Sequence, residues 1–238
     1  MSSTFDIVVA PGEDALEAKK KRIVPGSGMT ISFSADWSKV VLGFSHKPIE
    51  ERGQVWKFAC GRPEAADVPD FESEHALAAQ FVNCATRERV NETGLIDEYY
   101  QFIERLNYVR LTPPRRDAEG RPLGASLQQW HFIGLLKPRV MLPKNAAESD
   151  EMGDPEFWDV IDVLKLPKRG EEVQQSRKVN PYHQLALAKC VIELRDAGIS
   201  KDPNFEGFKK LLLAIYCAGI NIDDYIVDIQ RKIDLREI

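Results

Sequence analysis

Catalytic signatures are missing from this chain. GxGxxG, GxxxxGK followed by Ser or Thr, HExxH, GxSxG and the EF-hand loop pattern do not occur. Cysteine is scarce. Cys60, Cys84, Cys190 and Cys217 are the four present, and none stands in CxxC or CxxH spacing. A zinc centre needs ligands at close, patterned spacing, so none is expected, and the four thiols read as reduced, interior residues. His46, His75, His131 and His183 are scattered one to an element and form no dyad in the sequence. Glu17 and Lys19, with Asp6 upstream, carry the residue types of a metal nuclease, but the segment around Glu17 is a charged connector and reads as solvated charge. No cofactor follows from any of this.

Long apolar runs are also missing. Nothing approaches the ~20 residues of a membrane-spanning helix. The N-terminus lacks the charged-then-apolar order of a secretion signal, so a cytoplasmic protein is expected (host cytoplasm if the source is viral). Excess positive charge is absent too: net charge is −5. Residues 1–145 hold 19 basic and 19 acidic residues, whereas 146–238 hold 13 and 18. Any anion-binding surface is therefore expected in the first part, and the acidic excess marks the second.

What is present is alternation, then helical periodicity. Met29, Ile31 and Phe33 alternate with Thr30, Ser32 and Ser34, as a half-buried strand does. Two further runs, 39–45 and 54–60, flank the punctuated connector KPIEERG and read as a hairpin. Val40, Leu42, Phe44, Trp56 and Phe58 are assigned to its core face. Burying each large apolar side chain is worth about 1.5–3 kcal/mol, which outweighs stacking on a transient base. Residues 73–90 and 95–106 show helical spacing, with Ser73 as N-cap of the first. Residues 107–112 and 130–136 read as strands. The pairs Asp154-Pro155, Asn180-Pro181 and Asp202-Pro203 each place a capping residue before proline at a helix start. Gly198 and Gly219 read as helix stops, and a last helix starts near Asn221. The fold class is α+β: an antiparallel sheet with packed helices in 1–145, followed by an all-helical subdomain in 146–238.

One constellation suggests binding. Tyr108 and Arg110 share a strand face, Arg115, Arg116 and Arg121 lie in the following loop, and Trp130, Lys137 and Arg139 come next. Lys57 and Arg52 sit on the rim of the first hairpin. Guanidinium groups interleaved with rings suit the phosphates and bases of a single strand. The expected function is thus non-enzymatic binding of nucleic acid, single-stranded DNA by preference, with a protein partner on the acidic helical part. A bacteriophage accessory protein or a transcription or replication factor fits that profile. The alternative is an adaptor or inhibitor that contacts only protein.

Overall fold

The computed structural model describes residues 19–20, 22–46, 54–70, 75–112, 115–116, 122–123, 127–144, 152–165, 178–201 and 205–234. Nine strands are named in chain order: β1 (Gly26–Phe33), β2 (Lys39–Phe44), β3 (Trp56–Lys57), β4 (Ala59–Gly61), β5 (Tyr100–Thr112), β6 (Arg115–Arg116), β7 (Pro122–Leu123), β8 (Leu127–Leu136) and β9 (Glu156–Asp159). Five helices accompany them: α1 (Ala76–Thr93), α2 (Val160–Leu164), α3 (Pro181–Asp196), α4 (Glu206–Cys217) and α5 (Ile222–Asp234). This is a mixed α+β fold whose multi-stranded sheet packs against helices and is followed by a helical region.

The main sheet runs β3-β2-β1-β8-β5, with β4 also on β1 and β9 also on β2. Its pairs are antiparallel except one: β1 and β8 run parallel from Gly26↔Gln128 to Phe33↔Leu135. The strand β9 lies beyond the compositional break near residue 145, and it pairs with β2 from Lys39↔Asp159 to Leu42↔Glu156.

The alternation in β1 has a purpose on both faces. Met29, Ile31 and Phe33 are fully buried on the side of the C-terminal helices, in one core with Leu42, Phe58, Leu185, Phe208 and Ile229. Thr30 and Ser32 point the other way and are buried as well. There Thr30 Oγ1 donates to the Ala85 carbonyl of α1, and the Ser32 hydroxyl meets Tyr100 Oη at 2.6 Å. The polar half of the strand is therefore covered by α1 rather than by water. Helices lie on both faces, so a sheet of this kind is central and not a surface.

Gly28 explains how close α1 comes. A Cβ there would meet the Phe81 carbonyl oxygen at 2.8 Å and the Ala85 nitrogen at 2.9 Å. Helix backbone thus rests directly on strand backbone, as only glycine permits.

Several local expectations hold. Asn180 caps α3, its side chain accepting from Tyr182 N at 3.0 Å with Pro181 beside it. Gly198 and Gly219 take the left-handed backbone of helix ends, at φ +77° and +71°. Ile222, Ile229 and Ile233 of α5 are buried in the main core, with Ile226 packed against it. Trp56 lies in the interior between Phe44 and Trp158, with ring centroids at 5.4 and 5.0 Å.

Two expectations are corrected. Residues 95–106 are not a helix: a 3-10 turn at Asp97–Tyr99 leads into the long strand β5. Asp154-Pro155 does not start a helix either; β9 follows, and α2 begins only after its N-cap Asp159. Ser73 and Asp202-Pro203 lie outside the described residues.

Gly28→Ala is the direct check of this packing. Forcing a methyl into a filled contact typically costs about 1–3 kcal/mol. Urea unfolding of the variant should show a loss of that order with an unchanged m-value. A variant as stable as wild type would mean that α1 is not seated on β1.

Candidate functional site

Two carboxylates stand where helical periodicity calls for apolar residues. α1 lays Leu77, Phe81 and Cys84 toward the sheet, and the next turns on that side bring Glu88 and Glu92. Glu92 is 2% exposed. Its Oε1 accepts from Lys57 Nζ at 2.6 Å, and its Oε2 accepts from the backbone N–H of Cys60 at 2.9 Å. Both of its oxygens are thus engaged by β3 and β4. Lys57 is itself 9% exposed. The pair is a buried ion pair with hydrogen bonds completing it, the condition under which such a pair is tolerated.

Glu88 is placed differently. Its side chain keeps 15% exposure, and Arg87 Nη1 donates to Oε1 at 2.7 Å. Bare strand backbone lies beside it: a Cβ on Gly61 would fall 2.1 Å from Glu88 Oε1. Arg87 is anchored in turn. It donates to Asp67 through Nε at 3.1 Å and Nη2 at 2.9 Å, and to the Arg62 carbonyl at 3.0 Å. Glu64, 3.5 Å from Arg87, completes the rim. Further along α1, Arg89 is buried, pairs with Asp97 and lies 4.8 Å over the Tyr100 ring.

Burial sets the acidities. It raises the Glu88 carboxyl above its ordinary range, with Arg87 pulling the other way. It does the same to Glu92, opposed by Lys57 and the Cys60 N–H. Burial alone would lower Lys57, but Cys60, Glu92 and Glu88 outweigh it and leave the ammonium held more firmly than usual. Cys60 is pushed up to about 12 by burial and stays a thiol. His183, 3.8 Å from its sulfur through Nε2, accepts from Phe58 N at 2.9 Å through Nδ1, so a neutral ring carries its proton toward the sulfur.

A metal ion does not fit the cluster as built. The Lys57 ammonium already lies against Glu92, and no group of three or more ligating side chains occurs among the described residues. What remains is a rim carboxylate with raised proton affinity, backed by a fixed buried ion pair.

Among the described residues, those expected to bind nucleic acid are not gathered here. Lys57 is corrected from rim cation to buried partner of Glu92. Trp130 is half-buried, and its ring stacks on Phe81 at 5.3 Å. Tyr108, Arg110, Arg115 and Arg116 lie on β5 and β6, where only the backbone is described. Arg52 and Arg121 lie outside the described residues. Lys137 and Arg139 stand at the far end of the sheet, in the turn after β8.

No family model and no curated protein matches the sequence. Among solved structures, the fold is similar to the NUDIX domain of Shewanella oneidensis NrtR bound to ADP ribose: 17% identity, 62% of this chain and 81% of that one, TM-score 0.40. It is also similar to a NUDIX hydrolase from Nitrosomonas europaea, at 13% identity over 73% and 89% with a TM-score of 0.42. The E. coli dihydroneopterin triphosphate pyrophosphohydrolase matches at 13% identity over 71% and 97%, with a TM-score of 0.44. Likenesses this distant describe the outline of a fold and hand no residue its role.

These matches correct the functional expectations. The solved structures named above are NUDIX domains and hydrolases, which overturns the expectation of a non-enzymatic, bacteriophage-type single-stranded DNA-binding protein. The acidic C-terminal part buries one face against the sheet, with Leu185, Phe208 and Ile229 of α3 to α5 in the core.

The raised carboxyls have a measurable consequence. Between the ordinary glutamate value of 4.5 and its raised value, Glu88 holds a proton in the folded chain that the unfolded chain has released. Stability therefore rises as pH falls through that window and is lost as pH climbs through the folded value. Glu88→Gln should flatten this slope in urea unfolding across mildly acid pH. A slope of opposite sign in wild type would contradict the assigned environment. Breaking the buried pair should be harsher. Lys57→Met or Glu92→Met alone should lose about 3–5 kcal/mol, while the double variant recovers most of it. Equal losses in all three would show that the two side chains do not act as a pair.

Proposed function

We propose that the chain is a hydrolase acting on a small nucleotide-derived molecule of the nucleoside-diphosphate-linked kind, with Glu88 as the group that activates water. The observation that carries this is the asymmetry of the two carboxylates on α1. Glu92 is fixed by Lys57 and Cys60 N, whereas Glu88 stays on the rim against the bare backbone of Gly61, its proton affinity raised by burial. A base is most effective when its pKa lies nearer the working pH, and burial moves Glu88 in that direction. The exposed Arg62 at the end of β4 supplies a cation for substrate phosphates.

The step balances simply. Water gives a proton to the Glu88 carboxylate as its oxygen bonds to phosphorus. The phosphoanhydride P–O bond breaks, and its electron pair leaves on the departing phosphate oxygen. Arg87 and the Lys57–Glu92 pair position Glu88 throughout and transfer no proton.

A reducing, cytoplasmic setting suits this reading. Its cysteines are free, and Cys84 and Cys190 are buried thiols. Among the described residues no helix is long and apolar enough to cross a membrane.

The test is turnover. The full-length protein is incubated with ADP ribose, a dinucleotide and a nucleoside triphosphate, and the products are separated by chromatography. Wild type should cleave the anhydride of at least one. Glu88→Gln should fold normally and lose about 10²–10⁴ in rate, the usual contribution of a general base. No cleavage by wild type, or equal cleavage by Glu88→Gln, would overturn the assignment.

A further inference from the structure

The geometry points to a second ligand site, at the opposite end of β2 from Lys57, that takes the phosphate group of a small phosphorylated molecule. It does not rest on the hydrolase reading. The parallel strands β1 and β8 end side by side, at Phe33 and Leu136. The turns that follow them, 34–38 and 137–140, wall a cavity of about 330 Å³. That volume lies at the small end of the range for ligand pockets.

Its chemistry is that of an anion site with an apolar wall. Lys39, Lys137 and Arg139 line it. Among the described residues, Lys39 and Arg139 have no carboxylate partner, and Lys137 donates its ammonium only to the Glu98 carbonyl, at 2.7 Å. One acid, Asp36, also lines the cavity, but it is committed elsewhere. It accepts from Ser34 Oγ at 2.6 Å and from Ser38 Oγ at 2.9 and 3.0 Å. Those bonds outweigh its partial burial and hold its carboxyl below the ordinary value. Asp36 keeps its negative charge, so the lining carries three cations against one carboxylate that is already hydrogen-bonded. Leu136, Val140 and Phe157 supply the apolar side.

Backbone geometry singles out the same place. Among the described residues only Trp37 and Arg139 combine a side chain with positive φ, at +66° and +63°. One sits in each of the two turns. Such conformations are unfavourable and persist where surrounding structure enforces them, commonly at ligand sites. The enforcement is visible for Trp37, whose ring packs on Phe33 at 5.0 Å and Phe208 at 5.2 Å. Arginine at position 139 occupies a backbone that glycine would adopt freely, so its guanidinium is the residue's evident contribution.

Calorimetric titration of the full chain with inorganic phosphate and with adenosine monophosphate tests the inference. Adenosine monophosphate should bind saturably with Kd near or below about 1 mM, and more tightly than inorganic phosphate. Lys39→Gln and Arg139→Gly should each weaken it about tenfold, a loss of about 1.4 kcal/mol. Arg139→Gly should be at least as stable as wild type, since glycine relieves the left-handed turn. Glu88→Gln should bind normally, which separates this site from the proposed reaction centre. No saturable binding up to about 10 mM would overturn the proposal. So would binding that both cation variants retain and Glu88→Gln loses. Equal affinity for the two probes would remove the apolar wall from the site.

Discussion

The close seat of α1 on β1 is the contact on which the rest depends. At Gly28 the helix backbone meets the strand backbone with no side chain between them. That contact fixes the height of α1 above the sheet. From it follow the reach of Glu92 to Lys57 and Cys60, the position of Glu88 beside Gly61, and the burial of Thr30 and Ser32 beneath the helix. A helix standing a few ångströms higher would leave Glu92 short of both donors and would let water into the polar half of β1.

Charge inside the fold is arranged around that contact. Glu92 is tolerated because an ammonium and a backbone N–H satisfy its two oxygens. Arg87 is held by Asp67, Glu88 and the Arg62 carbonyl, which ties α1 to the turn after β4. Arg89, pairing with Asp97 under the Tyr100 ring, ties the same helix to the start of β5. Within about one and a half turns of one helix, Arg87, Arg89 and Glu92 therefore carry ionic anchors to the turn after β4, the turn before β5 and strand β3. The carboxylate left least constrained, Glu88, is the one assigned the chemistry.

Much of the fold is legible in the sequence, and the failures have physical causes. Alternation in 29–34, the Asn180-Pro181 start and the glycine stops at 198 and 219 are local signals, and tertiary structure respects them. Residues 95–106 deceive because β5 carries register shifts between Tyr100 and Phe102 and between Arg105 and Val109. Each shift breaks the period of two, and with Ile96 and Tyr99 in the 3-10 turn before the strand, Ile96, Tyr99, Phe102 and Leu106 fall at helical spacing. Asp154-Pro155 offers a helix start, but pairing with the edge of β2 claims the next residues. The candidate site was harder to see. Its signal was a pair of acids at positions 88 and 92, continuing the apolar stripe of Leu77, Phe81 and Cys84. Polar residues on a core-facing stripe conflict with local patterning, and such conflicts gather at functional or strained sites. Lys57 reads as a rim cation for a related reason. Alternation placed it opposite the Trp56 face, and nothing in the hairpin says that a helix covers that side.

The central claim is that the fold raises the proton affinity of Glu88 and leaves it on the rim to act. Carbon-detected NMR titration of the glutamate side-chain carboxyls reads this directly, with Glu88→Gln identifying the resonance. The account requires the Glu88 carboxyl to titrate above the ordinary glutamate value of 4.5 in the folded protein and to shift when ADP ribose is added. Titration at or below that value, with no response to the nucleotide, would contradict it.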